Sequence, residues 1–289
     1  DTSRFGIFID IIAGQDDGSL DTASQWYNIT YSDTIADRFG GLGGIDLADY
    51  NRDGWMDLYL NGSAKSFLFI NNGTTGDLNQ SDNLAGGWLT YSNGRWGDVN
   101  MDGAPDLFIM AVNDLQDVIL NSLLLNNHGD FSEDPSPIFP ELINGSSAWG
   151  DYDNDGDPDI VIGGQTAQPV SSVTRFYQNE PVGRLIEDTN QDLIGLKGGA
   201  YRFADLDGDR DLDLVMTGWN VFEGLITRIY INEPLGTFSL ASEQIDFGVV
   251  YGTIDAVDFN LDGKKDLVIA GADSTTNAAG YIHSMSGQV

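Results

Sequence analysis

One feature restricts the fold more than any other: an acidic loop that returns five times. Asp49 to Asp57 reads DYNRDGWMD, Asp98 to Asp106 DVNMDGAPD, Asp151 to Asp159 DYDNDGDPD, Asp205 to Asp213 DLDGDRDLD and Asp258 to Asp266 DFNLDGKKD. The first aspartates lie 49, 53, 54 and 53 residues apart. A period of about 50 residues means one structural unit repeated. Each copy has a short run leading into its first aspartate (IDLAD, GRWGD, SAWGD, YRFAD, IDAVD) and a strand-like run straight after (DLYLNG, DLFIMAV, DIVIGG, DLVMTG, DLVIAG). A third run follows as SFLFINN, SLLLNN, TRFYQNE, TRIYINE and GYIHSM. A fourth closes most copies, around Gly129-Asp130-Phe131 or Gly236-Thr237-Phe238. Four short strands per unit is the period of a propeller blade. The expectation is an all-β fold, a β-propeller of four-stranded antiparallel blades with each acidic loop between strands 1 and 2.

Like charges this dense repel one another unless something positive sits among them. Calcium takes six to eight oxygen ligands, which alternating carboxylates around a glycine turn supply from one loop. The expected ligands are Asp49, Asn51, Asp53 and Asp57; Asp98, Asn100, Asp102 and Asp106; Asp151, Asp153, Asp155, Asp157 and Asp159; Asp205, Asp207, Asp209, Asp211 and Asp213; and Asp258, Asn260, Asp262 and Asp266. An EF-hand needs an acidic residue at loop position 12. Here that position holds Leu60, Ile109, Ile162, Met216 and Ile269, all apolar, so the helical calcium motifs are excluded. About five Ca²⁺ ions are expected, each in a local cage, bringing the formal charge from −32 to −22. The fourth loop departs from the others: its glycine is Gly208, and Arg210 stands where glycine is expected, so its turn is expected to be made differently.

The whole chain, 1–289, reads as one propeller domain, with a partial blade over 1–44 and repeats starting near 45, 94, 147, 201 and 253. In the partial blade FIDIIAGQ (8–15) resembles a second strand and Trp26 to Tyr31 a third, while its acidic loop is missing. The count is about six blades, with seven as the alternative. Starting at Asp1 without methionine leads us to expect an upstream segment such as a signal peptide. The open blade edges at both ends would either pair with each other or serve self-assembly.

Other features narrow the function. A charge of −32 argues against nucleic acid and anionic membrane as partners, and no apolar run approaches the roughly 18 residues of a membrane span. No nucleophile elbow, zincin or phosphate-loop motif is present, and no cysteine; the histidines, His128 and His283, read as structural. Trp96 and Trp149 precede their loops at the same repeat position and are expected to pack between blades. Sequons for glycosylation stand at Asn28, Asn61, Asn72, Asn79 and Asn144.

WGDYDNDGDPDIVIGG followed by a FYQN or LLLNN strand resembles the FG-GAP/VCBS repeat family, which includes the propeller of integrin α-subunits. The resemblance implies that partners bind the face opposite the acidic loops, made by the 2–3 and 4–1 connections. Trp88, Trp219, Asn220, Asn113 and Asp114 map there. The function it implies is that of a secreted or cell-surface calcium-binding adhesion module for a protein or glycan ligand. A structural subunit of an extracellular filament or surface layer is the alternative, and a polysaccharide lyase or hydrolase a third.

Overall fold

The computed structural model describes residues 6–11, 25–30, 44–61, 66–73, 78–80, 89–113, 118–233, 236–273 and 283–285. Two units separate, 1–39 and 40–289. In the first, β1 (Gly6–Ile11) and β2 (Gln25–Thr30) form an antiparallel pair, Gly6 opposite Thr30 and Ile11 opposite Gln25. The second unit is a series of antiparallel sheets in which sequence neighbours are also sheet neighbours. Its first sheet comprises β3 (Gly44–Ala48), β4 (Asp57–Asn61), β5 (Ser66–Asn71) and β6 (Leu78–Gln80). The second holds β7 (Leu89–Gly97), β8 (Asp106–Asn113), β9 (Val118–Asn127) and β10 (Asp130–Asp134). The third holds β11 (Leu142–Gly150), β12 (Asp159–Thr166), β13 (Ser172–Asn179) and β14 (Leu185–Asp188). The fourth holds β15 (Lys197–Ala204), β16 (Asp213–Asn220), β17 (Gly224–Glu233) and β18 (Thr237–Leu240). The fifth holds β19 (Val250–Val257), β20 (Asp266–Ala272) and β21 (His283–Met285).

Every acidic loop thus joins the first and second strands of its sheet. Second strands are covered on both faces, which is why DIVIGGQT and DLVMTGWN lack the alternation of a half-buried strand. The fourth strands β10 and β18 are mostly exposed, as expected of an outer edge. First strands of neighbouring sheets lie side by side, β3 by β7, β7 by β11, β11 by β15 and β15 by β19. The Asp46 carboxylate accepts the Trp96 N–H across the first of these pairs at 2.9 Å.

The core lies between sheets. Tyr59 packs with Leu107 and Ile109; Phe108 and Met110 with Ile160 and Ile162; Val161 and Phe176 with Leu214 and Met216; Val215 and Ile229 with Leu267 and Ile269. Each cluster belongs to two successive sheets, and burial of such side chains stabilises by about 1.5–3 kcal/mol apiece. The recurring Trp-Gly-Asp entry to the loops has its reason here. A Cβ on Gly97 would meet the Trp149 ring at 2.6 Å, and one on Gly150 the Phe203 ring at 2.7 Å. Trp149 therefore packs on the neighbouring sheet, and Trp96 stacks on Tyr50, centroids 6.1 Å apart.

Four of the first strands, β7, β11, β15 and β19, share a further irregularity. The register slips between Thr90/Asn93, Ile143/Ser146, Lys197/Ala200 and Val250/Thr253, a bulge that bends the strand at one repeat position. Asn144, Gly198 and Tyr251 take positive φ there.

Candidate metal centre

All five loops have one backbone shape. Positions 4 and 6 are left-handed: Arg52 and Gly54 (φ 61 and 91), Met101 and Gly103 (56 and 85), Asn154 and Gly156 (60 and 102), Leu261 and Gly263 (60 and 89). The fourth loop was expected to turn differently. Instead Gly208 and Arg210 take the same two positions at φ 89 and 83, so the arginine bears a conformation that suits glycine.

Side-chain oxygens then accept successive backbone N–H groups. Position 1 accepts from position 6 in four loops (Asp49 from Gly54, 2.8 Å; Asp151 from Gly156, 3.1 Å) and from position 4 in the other (Asp205 from Gly208, 2.7 Å). Position 3 accepts from position 5 (Asn51 from Asp53, 3.0 Å; Asp207 from Asp209, 3.1 Å) and position 5 from position 7 (Asp102 from Ala104, 2.7 Å; Asp262 from Lys264, 2.9 Å). The chain is wound around its own carboxylates. Oxygens of Asp151, Asp153 and Asp159 come within 4.8 Å of one another, as do those of Asp205, Asp207 and Asp209. Asp151 Oδ1 is buried and accepts no hydrogen bond. An all-oxygen donor set with an unmet buried oxygen suits a hard cation such as Ca²⁺. In the third loop Asp157 is also buried, whereas Asp155 is exposed.

Position 9 is different. Asp57, Asp106, Asp159, Asp213 and Asp266 are all buried. One oxygen accepts the position 2 N–H (Val99, 3.1 Å; Tyr152, 3.1 Å; Leu206, 2.8 Å; Phe259, 2.9 Å). In four sheets the other accepts the N–H of an asparagine at or next to the end of the third strand: Asn71 at 2.8 Å, Asn126 at 2.7 Å, Asn179 at 2.9 Å and Asn232 at 2.9 Å. Burial, the first cause, pushes Asp57, Asp106 and Asp213 up to about 6 and Asp159 up to about 8. The donated N–H groups oppose it and the other loop carboxylates add to it. A bound cation would reverse these shifts, because it favours the charged form. These asparagines were not singled out in the sequence. Their signal was the Asn that closes SFLFIN, SLLLN, TRFYQN and TRIYIN.

On the opposite edges the expected ligand residues fare unequally. Trp219 is 40% exposed, and Phe222, at the tip of the β16–β17 turn in the same connection, is 92% exposed. Asn220 is 6% exposed: its amide donates to Gly195 O at 3.1 Å, and its oxygen accepts from Phe222 and Glu223 N–H. Asn113 ends β8, while Trp88 and Asp114 lie outside the described residues. Of the sequons, Asn28 lies in β2 and Asn61 ends β4; Asn72 and Asn79 are exposed, and Asn144 is half-buried at its bulge. His128 sits with Gly129 in the left-handed turn between β9 and β10.

Successive four-stranded sheets packed face to face, each with an acidic loop between its first two strands, define a β-propeller. A model of the FG-GAP-like repeat matches residues 49–109, 98–162 and 205–269. Each match starts at the first aspartate of one loop and runs through the next loop, so together they include all five. The chain belongs to the FG-GAP-like repeat family. No curated protein sequence matches it. Among solved structures, a lectin from Agrocybe aegerita, solved for its specific recognition of non-reducing terminal N-acetylglucosamine, has a similar fold at 16% identity and a TM-score of 0.55. That match covers 99% of this chain and 78% of the lectin. The Tc holotoxin pore of Photorhabdus luminescens matches at 15% identity and a TM-score of 0.39, over 93% of this chain and 12% of that one.

Proposed function

We propose that the chain is a secreted or cell-surface recognition module whose propeller is stabilised by calcium and whose ligand, a protein or a glycan, docks on the face opposite the acidic loops. The observation that carries this reading is the division of the sheets. Carboxylate oxygens converge at one edge, and the aromatic rings of Trp219 and Phe222 are exposed at the other. Aromatic faces of this kind stack on sugar rings, and a lectin of similar fold supports a glycan. Millimolar calcium outside the cell suits loops of this type. The carboxylates that could serve acid–base catalysis belong to the loops, so binding is proposed and not catalysis.

Two measurements test this. Thermal melts in EDTA and in millimolar calcium should differ by many degrees, and equal melts would remove the calcium. A glycan array with the intact chain should give a defined set of hits that Trp219→Ala and Phe222→Ala reduce at least tenfold. Hits unaffected by either change would move the ligand elsewhere.

One observation favours the second reading, self-assembly as a structural subunit, though at a loop and not at a blade edge. The position 2 side chain is buried in four loops (Tyr50, Val99, Tyr152, Leu206) but 77% exposed at Phe259, beside exposed Leu261. Sedimentation velocity across a concentration series decides: association that Phe259→Ser removes supports it, and a monomer throughout excludes it.

A further inference from the structure

The loops are joined to one another by the asparagines at or next to the ends of the third strands. Asn126 Nδ2 donates to the carbonyl of Tyr50, in the loop of the preceding sheet, at 2.7 Å. Asn179 Nδ2 reaches Val99 O at 2.6 Å and Asn232 Nδ2 reaches Tyr152 O at 2.6 Å. The residue whose carbonyl is taken is in each case position 2, and its own N–H faces the position 9 carboxylate of its loop. The asparagine's own N–H holds the position 9 carboxylate of the following loop. A continuous path of backbone and carboxylate hydrogen bonds therefore runs from the Tyr50 carbonyl of the first loop through Asp106 and Asp159 to Asp213.

We propose that the first four cation loops fill as a coupled series, with Asn126, Asn179 and Asn232 as the positioning residues that transmit occupancy from one loop to the next. This rests on the calcium reading above. An ion that draws in the carboxylates of one loop also fixes the position 2 peptide between that loop and the next asparagine. The neighbouring position 9 carboxylate is then already held when its own ion arrives, and the ordering cost of that loop falls. Coupling of this kind is reciprocal, so each loop helps both neighbours. Asn179 Oδ1 also accepts the Gly183 and Arg184 N–H groups at 2.7 and 3.1 Å, so it cannot turn away without opening the 3–4 turn.

The fifth repeat is a built-in control. Among the described residues no asparagine of its third strand, β21, holds its position 9 carboxylate. In accord with that, Asp266 Oδ1 is buried and accepts no hydrogen bond. The fifth loop should fill independently.

Native mass spectrometry of the full chain through a calcium titration tests this. At half saturation the wild type should show few species with intermediate ion numbers, since coupled sites fill together. Asp98→Ala, in the second loop, should lose more than its own ion, with its neighbours weakened roughly tenfold, within the 5- to 150-fold usual for coupled sites. Asp258→Ala, in the fifth, should lose one ion and leave the other affinities unchanged. Asn179→Asp keeps the oxygen for the turn and removes the donor to Val99, so in that background Asp98→Ala should no longer weaken the third loop. Independent filling, with Asp98→Ala and Asp258→Ala each costing one ion, overturns the coupling and leaves the calcium reading intact. A wild type that binds no ion overturns both. Should Asn179→Asp fail to fold, the wild-type species distribution decides alone.

Discussion

The third and fourth loops carry five aspartates at the same alternate positions, but the residues between them differ and the glycine stands at position 6 in the third and position 4 in the fourth. In the third, Asn154 and Gly156 take the two left-handed positions; in the fourth, Gly208 and Arg210 do. The backbone is the same, yet the carboxylates that converge are not: Asp151, Asp153 and Asp159 in one, Asp205, Asp207 and Asp209 in the other. The repeat preserves a conformation, and residue letters vary within it. Chelation is the severest way to break this likeness. Each filled site adds about 2.7 kcal/mol at a hundredfold excess of calcium over Kd, so EDTA should lower the melting temperature by tens of degrees. Titration with calcium should restore it, and a loop that stays ordered by hydrogen exchange in EDTA would mark the cation as unnecessary there.

Next in size is the division between the position 9 staple and the other loop carboxylates. Asp159→Ala leaves the Tyr152 and Asn179 N–H groups unpaired, and Asp213→Ala those of Leu206 and Asn232. At about 1–3 kcal/mol per buried donor, each change should cost roughly 2–5 kcal/mol, in EDTA as well as in calcium. Asp155→Ala and Asp209→Ala alter exposed residues and should stay within about 0.5 kcal/mol in EDTA. Urea denaturation in both conditions checks this, and equal losses for all four variants in EDTA would erase the distinction between staple and ligand.

Acidity separates the loops by a smaller amount. Burial raises Asp159 to about 8 and Asp213 to about 6, against an unfolded value near 3.9. Raised carboxyl groups contribute stability that is complete below about pH 4 and is lost as pH rises through the folded values. The chelated protein should therefore weaken from pH 5 to 8, the fourth loop first and the third later. Calcium-loaded protein should show the reverse, because the ions need ionised carboxylates. Melts in EDTA should lose their slope near pH 8 in Asp159→Asn and near pH 6 in Asp213→Asn. A chelated wild type that grows more stable toward pH 8 contradicts the assignment.

The sequence was most legible where the signal was local and repeated. The acidic loops, the strand that follows each, and the third run all recur within short stretches, and the sheets follow their order. The asparagine staples were not legible, because Asn126 meets Tyr50 across 76 residues and a strand-ending Asn looks like an ordinary turn residue. Asn220 was mapped to the ligand face as part of the connection between second and third strands. Which way a side chain points at a hairpin turn depends on backbone geometry, and here the amide folds back onto Gly195 and the turn itself. Phe222 lies in the same connection, and its exposure at the tip of the turn was not legible from the sequence.

The finest test exchanges the glycines. Arg210 holds φ 83 and Gly156 φ 102, and a Cβ at Gly156 would meet nothing within 4 Å. Steric room therefore plays no part, and the comparison isolates the backbone. A residue with a Cβ is about 1–2 kcal/mol less favourable than glycine in a left-handed conformation, while glycine gives back part of that through its freer unfolded chain. Arg210→Gly should stabilise the protein by about 0.5–1 kcal/mol, and Gly156→Arg should destabilise it by a similar amount. The charge change is controlled by Arg210→Ala, which keeps the Cβ and should gain nothing. Denaturant midpoints at saturating calcium measure all three. If Arg210→Gly and Arg210→Ala behave alike, the arginine acts through its charge among the loop carboxylates, and the shared backbone costs the fourth loop nothing.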